Sequence, residues 1–197
     1  MDRESLRLIL AAASVGIAGA GGLGSNCAAS LVRAGVRSLV IVDPVKVSES
    51  NLDRQFYFAG QVGMPKVEAL AENLRAIAPG VKIDAHACRL DAENLPGIFS
   101  GCDVVVEAVD EAESKELIIE TVLLRLPEAL VVAGSGLAGT GRLDRLKVVD
   151  RGRLHICGDF ETEVSEENPP CAPRVAIVAN MEADTVLCIL AAGGGGR

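Results

Sequence analysis

Apolar and polar positions follow two rhythms along the chain. Short apolar runs recur at Val15–Ala18, Val36–Val42, Asp103–Val109 and Leu130–Ala133. Between them, apolar residues return every three or four positions. Residues 2–13 carry Leu6, Ile9 and Leu10 on one face, and Lys66–Ala78 carries Val67, Leu70, Leu74 and Ile77. The same spacing occupies Asn26–Leu31, Glu113–Leu126 and Arg174–Leu190. Unbroken short runs predict strands buried on both faces, and the three-to-four spacing predicts helices packed on them. Val81–Cys88 alternates and predicts a third strand, and a short helix is expected near 92–99. Strand and helix therefore take turns, the signature of a Rossmann-like, doubly wound, mostly parallel α/β sheet. Near the C-terminus, Leu146–Val149 and Leu154–Cys157 flank Asp150-Arg151-Gly152-Arg153 and predict an antiparallel hairpin extension. Residues 44–65 form a long loop region, and Gly193–Gly196 is expected to fray. Residues 1–197 are expected to form a single nucleotide-binding domain.

The first strand runs into glycines. Gly19, Gly21 and Gly24 stand in a G-x-G-x-x-G spacing, with Gly22 between them, and helical spacing resumes at Asn26. In a strand–turn–helix context one glycine permits the turn, one lets the backbone approach a phosphate and one lets helix and strand pack. The helix start then offers free N–H groups and a partial positive charge to an anion. The second strand ends at Asp43, 19 residues beyond Gly24, where such a unit carries a carboxylate for ribose hydroxyls.

Composition narrows the picture. Half the residues are hydrophobic (49%) but only 3% are aromatic and none is Trp, so Ala, Val, Leu and Ile must build the core. A net charge of −8 disfavours bulk binding to nucleic acid or an anionic membrane. No stretch reaches the ~18 apolar residues of a membrane span; residues 8–24 come nearest, but glycines crowd them and a strand explains them better, and no signal-peptide pattern is expected. The six cysteines are scattered without a C-x-x-C pair, which points to a reducing cytoplasm and to neither disulfides nor structural zinc. Charge is uneven late in the chain: residues 142–153 carry five bases and two acids, whereas 158–168 carry five acids and no base. The acidic stretch is expected to be an exposed, mobile loop.

The candidate chemistry lies at strand ends, where open α/β sheets bind ligands. Asp110 follows the apolar run at 103–109 and would face phosphates held by the glycine turn. Asp43 and Asp110 are like charges, and Mg²⁺ is the natural bridge between a carboxylate and phosphates. Taken alone, Asp110 also reads as a helix cap with Glu113 in a capping box. Arg54 and Lys66 follow in the loop after the second strand. Singly each reads as a solvated cation; together with the glycine turn they suit a phosphate-cleaving site better than hydride transfer. A cation ~4 Å from a phosphate charge gains roughly 4 kcal/mol of gross Coulomb energy at an effective dielectric near 20.

These motifs resemble the ThiF/MoeB/HesA family of ubiquitin-activating-like adenylyltransferases. The likeness rests on Gly19-Ala-Gly-Gly-Leu-Gly-Ser-Asn26, Asp43, Asn51-Leu-x-Arg54-Gln55, Gly63-x-Pro65-Lys66 and Asp110. It extends over most of residues 5–190 and is nearest to the compact thiamine-biosynthesis members. The resemblance implies ATP and Mg²⁺, no zinc, and a small ubiquitin-like sulfur-carrier partner ending in Gly-Gly. It implies that Gly19, Gly21, Gly22 and Gly24 line the phosphates and that Asp43 holds the ribose. Asn51, Arg54, Gln55 and Lys66 would bind the triphosphate, Asp110 would position Mg²⁺, and Arg54, Lys66 and Asp110 would be catalytic. It also implies a homodimer, with Arg3 or Arg7 as candidates to complete a partner's site, and Cys171 as a candidate thiol in the crossover loop. The competing readings are an NAD-dependent oxidoreductase, which leaves Arg54, Lys66 and Asp110 unexplained, a non-catalytic nucleotide-binding scaffold and a related tRNA-modifying dehydratase.

Overall fold

A computed structural model describes residues 1–193. One seven-stranded sheet runs through the chain in the order β3-β2-β1-β4-β5-β7-β6. Its strands are β1 (Ser14–Ala18), β2 (Ser38–Val42), β3 (Lys82–His86), β4 (Val104–Glu107), β5 (Leu130–Gly134), β6 (Lys147–Asp150) and β7 (Leu154–Gly158). Every pairing is parallel except β6 with β7, the hairpin expected from the turn residues. The helices are α1 (Arg3–Ala12), α2 (Gly22–Ala34), α3 (Lys66–Ile77), α4 (Leu95–Ile98), α5 (Ala112–Arg125) and α6 (Ala172–Ala191). The expected fraying concerns Gly193–Gly196, of which 194–196 lie outside the described residues.

Side chains alternate across each strand, so the central strands feed two cores. Val104 and Val106 join a core with Ile17, Leu39, Leu31, Leu70, Val178 and Val186, under α1, α2, α3 and α6. Val105 and Val131 join the other core with Leu95, Phe99, Ile118 and Val122, under α4 and α5. This double burial explains the unbroken apolar runs of β4 and β5. β3 is an edge strand, exposed at Lys82, Asp84 and Ala85, which explains its alternation. Boundaries shift where caps decide them. Val36 was expected to open a strand, but its N–H still bonds Leu31 C=O beyond the α2 C-cap Gly35, and β2 starts at Ser38.

The acidic stretch is exposed at Glu161, Glu163, Glu166 and Glu167, as expected, yet it is fastened rather than loose. Asp159 and Arg174 form a buried ion pair at 2.6 Å, and Arg174 also donates to Gly141 C=O at 2.6 Å. Gly139 bridges to Pro170. These ties join the loop after β5, the loop after β7 and the start of α6.

Among the described residues no helix is long and apolar enough to cross a membrane.

Candidate active site

The glycine turn is built by close approach. Gly19 has φ +100°, and a Cβ there would lie 2.7 Å from Ala108 O. A Cβ on Gly24 would lie 1.9 Å from Gly19 O, so α2 can rest on β1 only with glycine at that point. Gly21, the α2 N-cap, meets nothing within 4 Å, and no side chain caps the helix. The first amides of α2 have no acceptor within the helix and border this open space. Gly22 plays another part: a Cβ there would approach Val175 Cγ1 to 2.9 Å, so it admits the start of α6.

Asp43, at the end of β2, is 7% exposed and is held from both sides. Its carboxylate accepts from Ala20 N and from Val45 N, each at 2.8 Å. It thereby ties the glycine turn to the loop that follows. The Tyr57 hydroxyl donates to Ala20 C=O at 2.7 Å and lies 3.4 Å from Lys66 C=O. Burial, then Asp43, push the Tyr57 phenol well above its ordinary range, so it stays a neutral donor.

The long loop 44–65 folds back onto α2. Asn26 donates to Gly22 C=O at 2.7 Å and to Arg54 C=O at 3.0 Å, and Phe56 N donates to Ser25 Oγ at 3.0 Å. Asn51 ends a 3-10 turn, its Oδ1 accepting from Ser48 N at 3.0 Å. Arg54 reaches over Gly22 but donates to Asp53 Oδ1 at 2.7 Å and Ser50 C=O at 2.9 Å. A phosphate would have to draw it away from Asp53. Gln55 Oε1 is buried without a partner among the described residues.

Lys66 is 8% exposed and begins α3. Its ammonium makes no ion pair or hydrogen bond among the described residues. A cation at the positive end of a helix is unfavourable without an anion. The Lys66 cation at the start of α3 and the open space at Gly21 together fit a bound polyphosphate.

Asp110 lies in the turn between β4 and α5, exposed and without a side-chain hydrogen bond among the described residues. The capping alternative fails, because the α5 N-cap is Glu111 and Asp110 stands one residue outside it. Among the described residues no cluster of three or more His, Cys, Asp or Glu is placed to hold a metal ion. One free carboxylate still fits Mg²⁺, which keeps several waters and is bound by one or two carboxylates plus substrate phosphates.

Of the six cysteines, Cys27, Cys102 and Cys157 are buried, Cys88 and Cys171 half-buried and Cys188 exposed. Cys171 is the α6 N-cap, with Sγ 3.6 Å from Pro169 O. Arg3 and Arg7 lie exposed on α1.

The sequence reading passed over a buried charge cluster behind the site. Glu107, at the end of β4, and Glu182, on the core face of α6, are both 0% exposed. Lys115 pairs with Glu107 and donates to Gly134 C=O at 3.1 Å. Neither oxygen of Glu182 has a partner among the described residues. Burial pushes Glu182 well above the ordinary value of 4.5; Glu107 adds to the rise and Lys115 opposes it. The other titratable groups packed near it are Cys27 on α2 and Cys157 on β7. An acid in a core face at Val175, Val178, Ala179, Glu182, Val186 spacing was the available signal.

A pH prediction follows from Glu182. The folded state binds its proton more tightly than the unfolded chain, so its contribution is complete below about pH 4.5 and fades as pH rises toward the folded value. Relative to Glu182→Gln, the native protein should lose up to ~1.4 kcal/mol per pH unit through that window. Urea unfolding of both proteins from pH 5 to 9 checks this, and parallel profiles would remove the proton from Glu182.

Against this geometry, the sequence profile described as the ThiF family matches residues 3–194. The chain belongs to the ThiF family. Among ThiF relatives, the "Adenylyltransferase and sulfurtransferase uba4" of Pyricularia oryzae is 42% identical over 139 residues, 70% of this chain and 28% of that protein. The UBA4 of Candida glabrata is 34% identical over 191 residues, covering 93% of this chain and 44% of that protein. The chain thus spans less than half the length of these two relatives. In structure it resembles E. coli tRNA N6-threonylcarbamoyladenosine dehydratase, TcdA, in its complex with ATP, at TM-score 0.87 and 20% identity over 96% of this chain and 90% of that one. E. coli MccB, with AMPCPP and MccA, follows at TM-score 0.71 and 20% identity, over 94% of this chain and 57% of that one. At such identity the likeness establishes the fold shared with these proteins.

Proposed function

We propose that the chain adenylylates the C-terminal diglycine carboxylate of a small ubiquitin-like sulfur-carrier protein of the thiamine type. The reaction uses ATP with Mg²⁺ and takes place in the cytoplasm, with the chain acting as a homodimer. The observation that carries this reading is Lys66: a cation at the start of α3, 8% exposed and without an ion pair among the described residues, whose carbonyl shares the Tyr57 hydroxyl with Ala20 of the glycine turn. In the reaction a carboxylate oxygen of the carrier attacks the α-phosphorus. The bond from that phosphorus to the β-bridging oxygen breaks, pyrophosphate leaves with the electron pair, and an acyl-adenylate remains. Asp110 would hold Mg²⁺, which would supply charge neutralisation at the phosphates. The chain's own groups do the positioning. Gly21 and the first amides of α2 leave room for and donate to phosphate oxygens. Asp43 sits where it accepts from ribose. Lys66 and Arg54 offset charge building on the leaving group, with Asn51 and Gln55 alongside.

The membership in a family with named adenylyltransferases supports the reading, as does the ATP complex of TcdA. A tRNA-modifying dehydratase is the second reading, favoured by the TcdA fold, but a net charge of −8 works against tRNA. The test is ATP–pyrophosphate exchange with carriers ending in Gly-Gly, beside thermal melting with ATP or NAD. Carrier-dependent exchange and a larger melting shift with Mg²⁺-ATP are expected. A shift with NAD and none with ATP would overturn the reading; ATP turnover that answers only to tRNA would favour the second.

A further inference from the structure

The turn that carries Asp110 is short and sits against the glycine turn. It spans residues 108–111 between β4 and α5. Ala108 N donates to Ala18 C=O at 2.8 Å, and its own carbonyl is the atom that crowds Gly19. At its outer end, Glu111 accepts from Arg89 at 2.7 Å and from the Ser114 hydroxyl at 3.0 Å, exposed contacts of little worth. From beneath it is held by Lys115. The ammonium pairs with Glu107 Oε2 and donates to Gly134 C=O at 3.1 Å, so one side chain of α5 grips the ends of β4 and β5. Glu107 passes that grip on, because its Oε1 accepts Val109 N at 2.9 Å. Lys115 also faces two wholly buried acids, Glu107 and Glu182.

We propose that Lys115 is a positioning residue for the nucleotide reaction: through Glu107 and Gly134 it sets the β4–α5 turn, and with it Asp110, against the glycine turn. The proposal rests on the reading of Asp110 given above. A second interpretation would make Lys115 merely the counter-charge that lets Glu107 be buried. The two differ in what happens when both charges go. Replacing a buried pair by apolar groups of similar size is often neutral for stability. A counter-charge role would then be fully relieved, whereas the strut under the turn would still be missing.

The test uses the full chain with Lys115→Met, Lys115→Arg and the double variant Lys115→Met/Glu107→Met. Amide hydrogen exchange is followed in the nucleotide-free protein, and kcat and KM for ATP are measured separately by pyrophosphate exchange. Lys115→Met and the double variant should exchange faster at residues 108–112 with β1 and β2 unchanged. Their kcat should fall about 10- to 100-fold, the range for losing a supporting group behind a reactive one, with KM for ATP nearly unmoved. Lys115→Arg should restore most of both. Should Lys115→Met fail to fold, the double variant carries the test. A double variant with native protection of the turn and native kcat overturns the proposal, as does a Lys115→Arg protein no better than Lys115→Met. If the native chain shows no exchange with any diglycine carrier, the functional reading falls, and turn protection still decides the role of Lys115.

Discussion

Lys66→Ala is expected to lower ATP–pyrophosphate exchange by ~10²–10³, or roughly 3–4 kcal/mol, while leaving the melting temperature unchanged or higher. The two signs differ because the group does opposite things with and without nucleotide. In the free chain Lys66 is 8% exposed, heads α3 and has no anion among the described residues. Removing it relieves an unfavourable charge at a helix start, worth about 0.3–1 kcal/mol. With a triphosphate in the open space beside Gly21, the same ammonium offsets charge that grows as pyrophosphate leaves. Asp110→Ala should lose activity comparably and blunt the response to Mg²⁺, again with the fold intact, since Asp110 is exposed. Steady-state exchange and a melting curve for each variant make the comparison. Native rates in both would leave a nucleotide-binding fold without an assigned reaction. A Lys66→Ala protein that melts well below the native one would make the residue structural.

Asp159→Ala is expected to cost about 3–5 kcal/mol of stability, because it leaves Arg174 buried without its carboxylate. Arg174 is 3% exposed and Asp159 4%; their pair joins the loop after β7 to the start of α6, and Arg174 also holds the loop after β5 through Gly141. Burial works against the Asp159 carboxylate, but it is outweighed by the Thr162 and Glu161 N–H groups, the Thr162 hydroxyl and Arg174, which hold it below its ordinary 3.8. Its contribution is therefore present above about pH 3.8 and is lost as pH falls through the lower folded value. That is the reverse of Glu182. For a chain of this size each kcal/mol moves the melting temperature by about 2–4 °C, so a fall of roughly 6–20 °C is expected at neutral pH. A double variant, Asp159→Leu/Arg174→Leu, should recover much of it. A single variant melting within about 2 °C of the native chain would show the loops to be held elsewhere.

Much of the architecture is legible without coordinates. β4 and β5 show as apolar runs because both faces are covered. The hairpin shows because Asp150-Arg151-Gly152-Arg153 interrupts two apolar segments. Element ends are less legible. β4 stops at Glu107, two residues inside the apolar run, because Ala108 turns toward Gly19. α5 is capped by Glu111 rather than Asp110, a choice of backbone angle that neighbouring acids do not reveal.

What the sequence by itself determined is the order of strands and helices, the glycine turn and the loop block from Asn51 to Gln55. These depend on local spacing and on the backbone freedom of glycine. Only the tertiary structure decided which charges are buried and what they face. Lys66 is largely covered because loop 44–65 returns to α2 through Asn26 and Ser25, and its Tyr57 hydroxyl links Ala20 of the glycine turn to the start of α3. Arg54 is turned to Asp53, and Gly22 serves α6. Glu107, Lys115 and Glu182 come from β4, α5 and α6, and meet because crossover connections bring those elements together at the carboxyl edge of the sheet. A charge buried by partners distant in the chain leaves only a faint local mark, since its cost is set by a dielectric and by neighbours that exist once the sheet has formed.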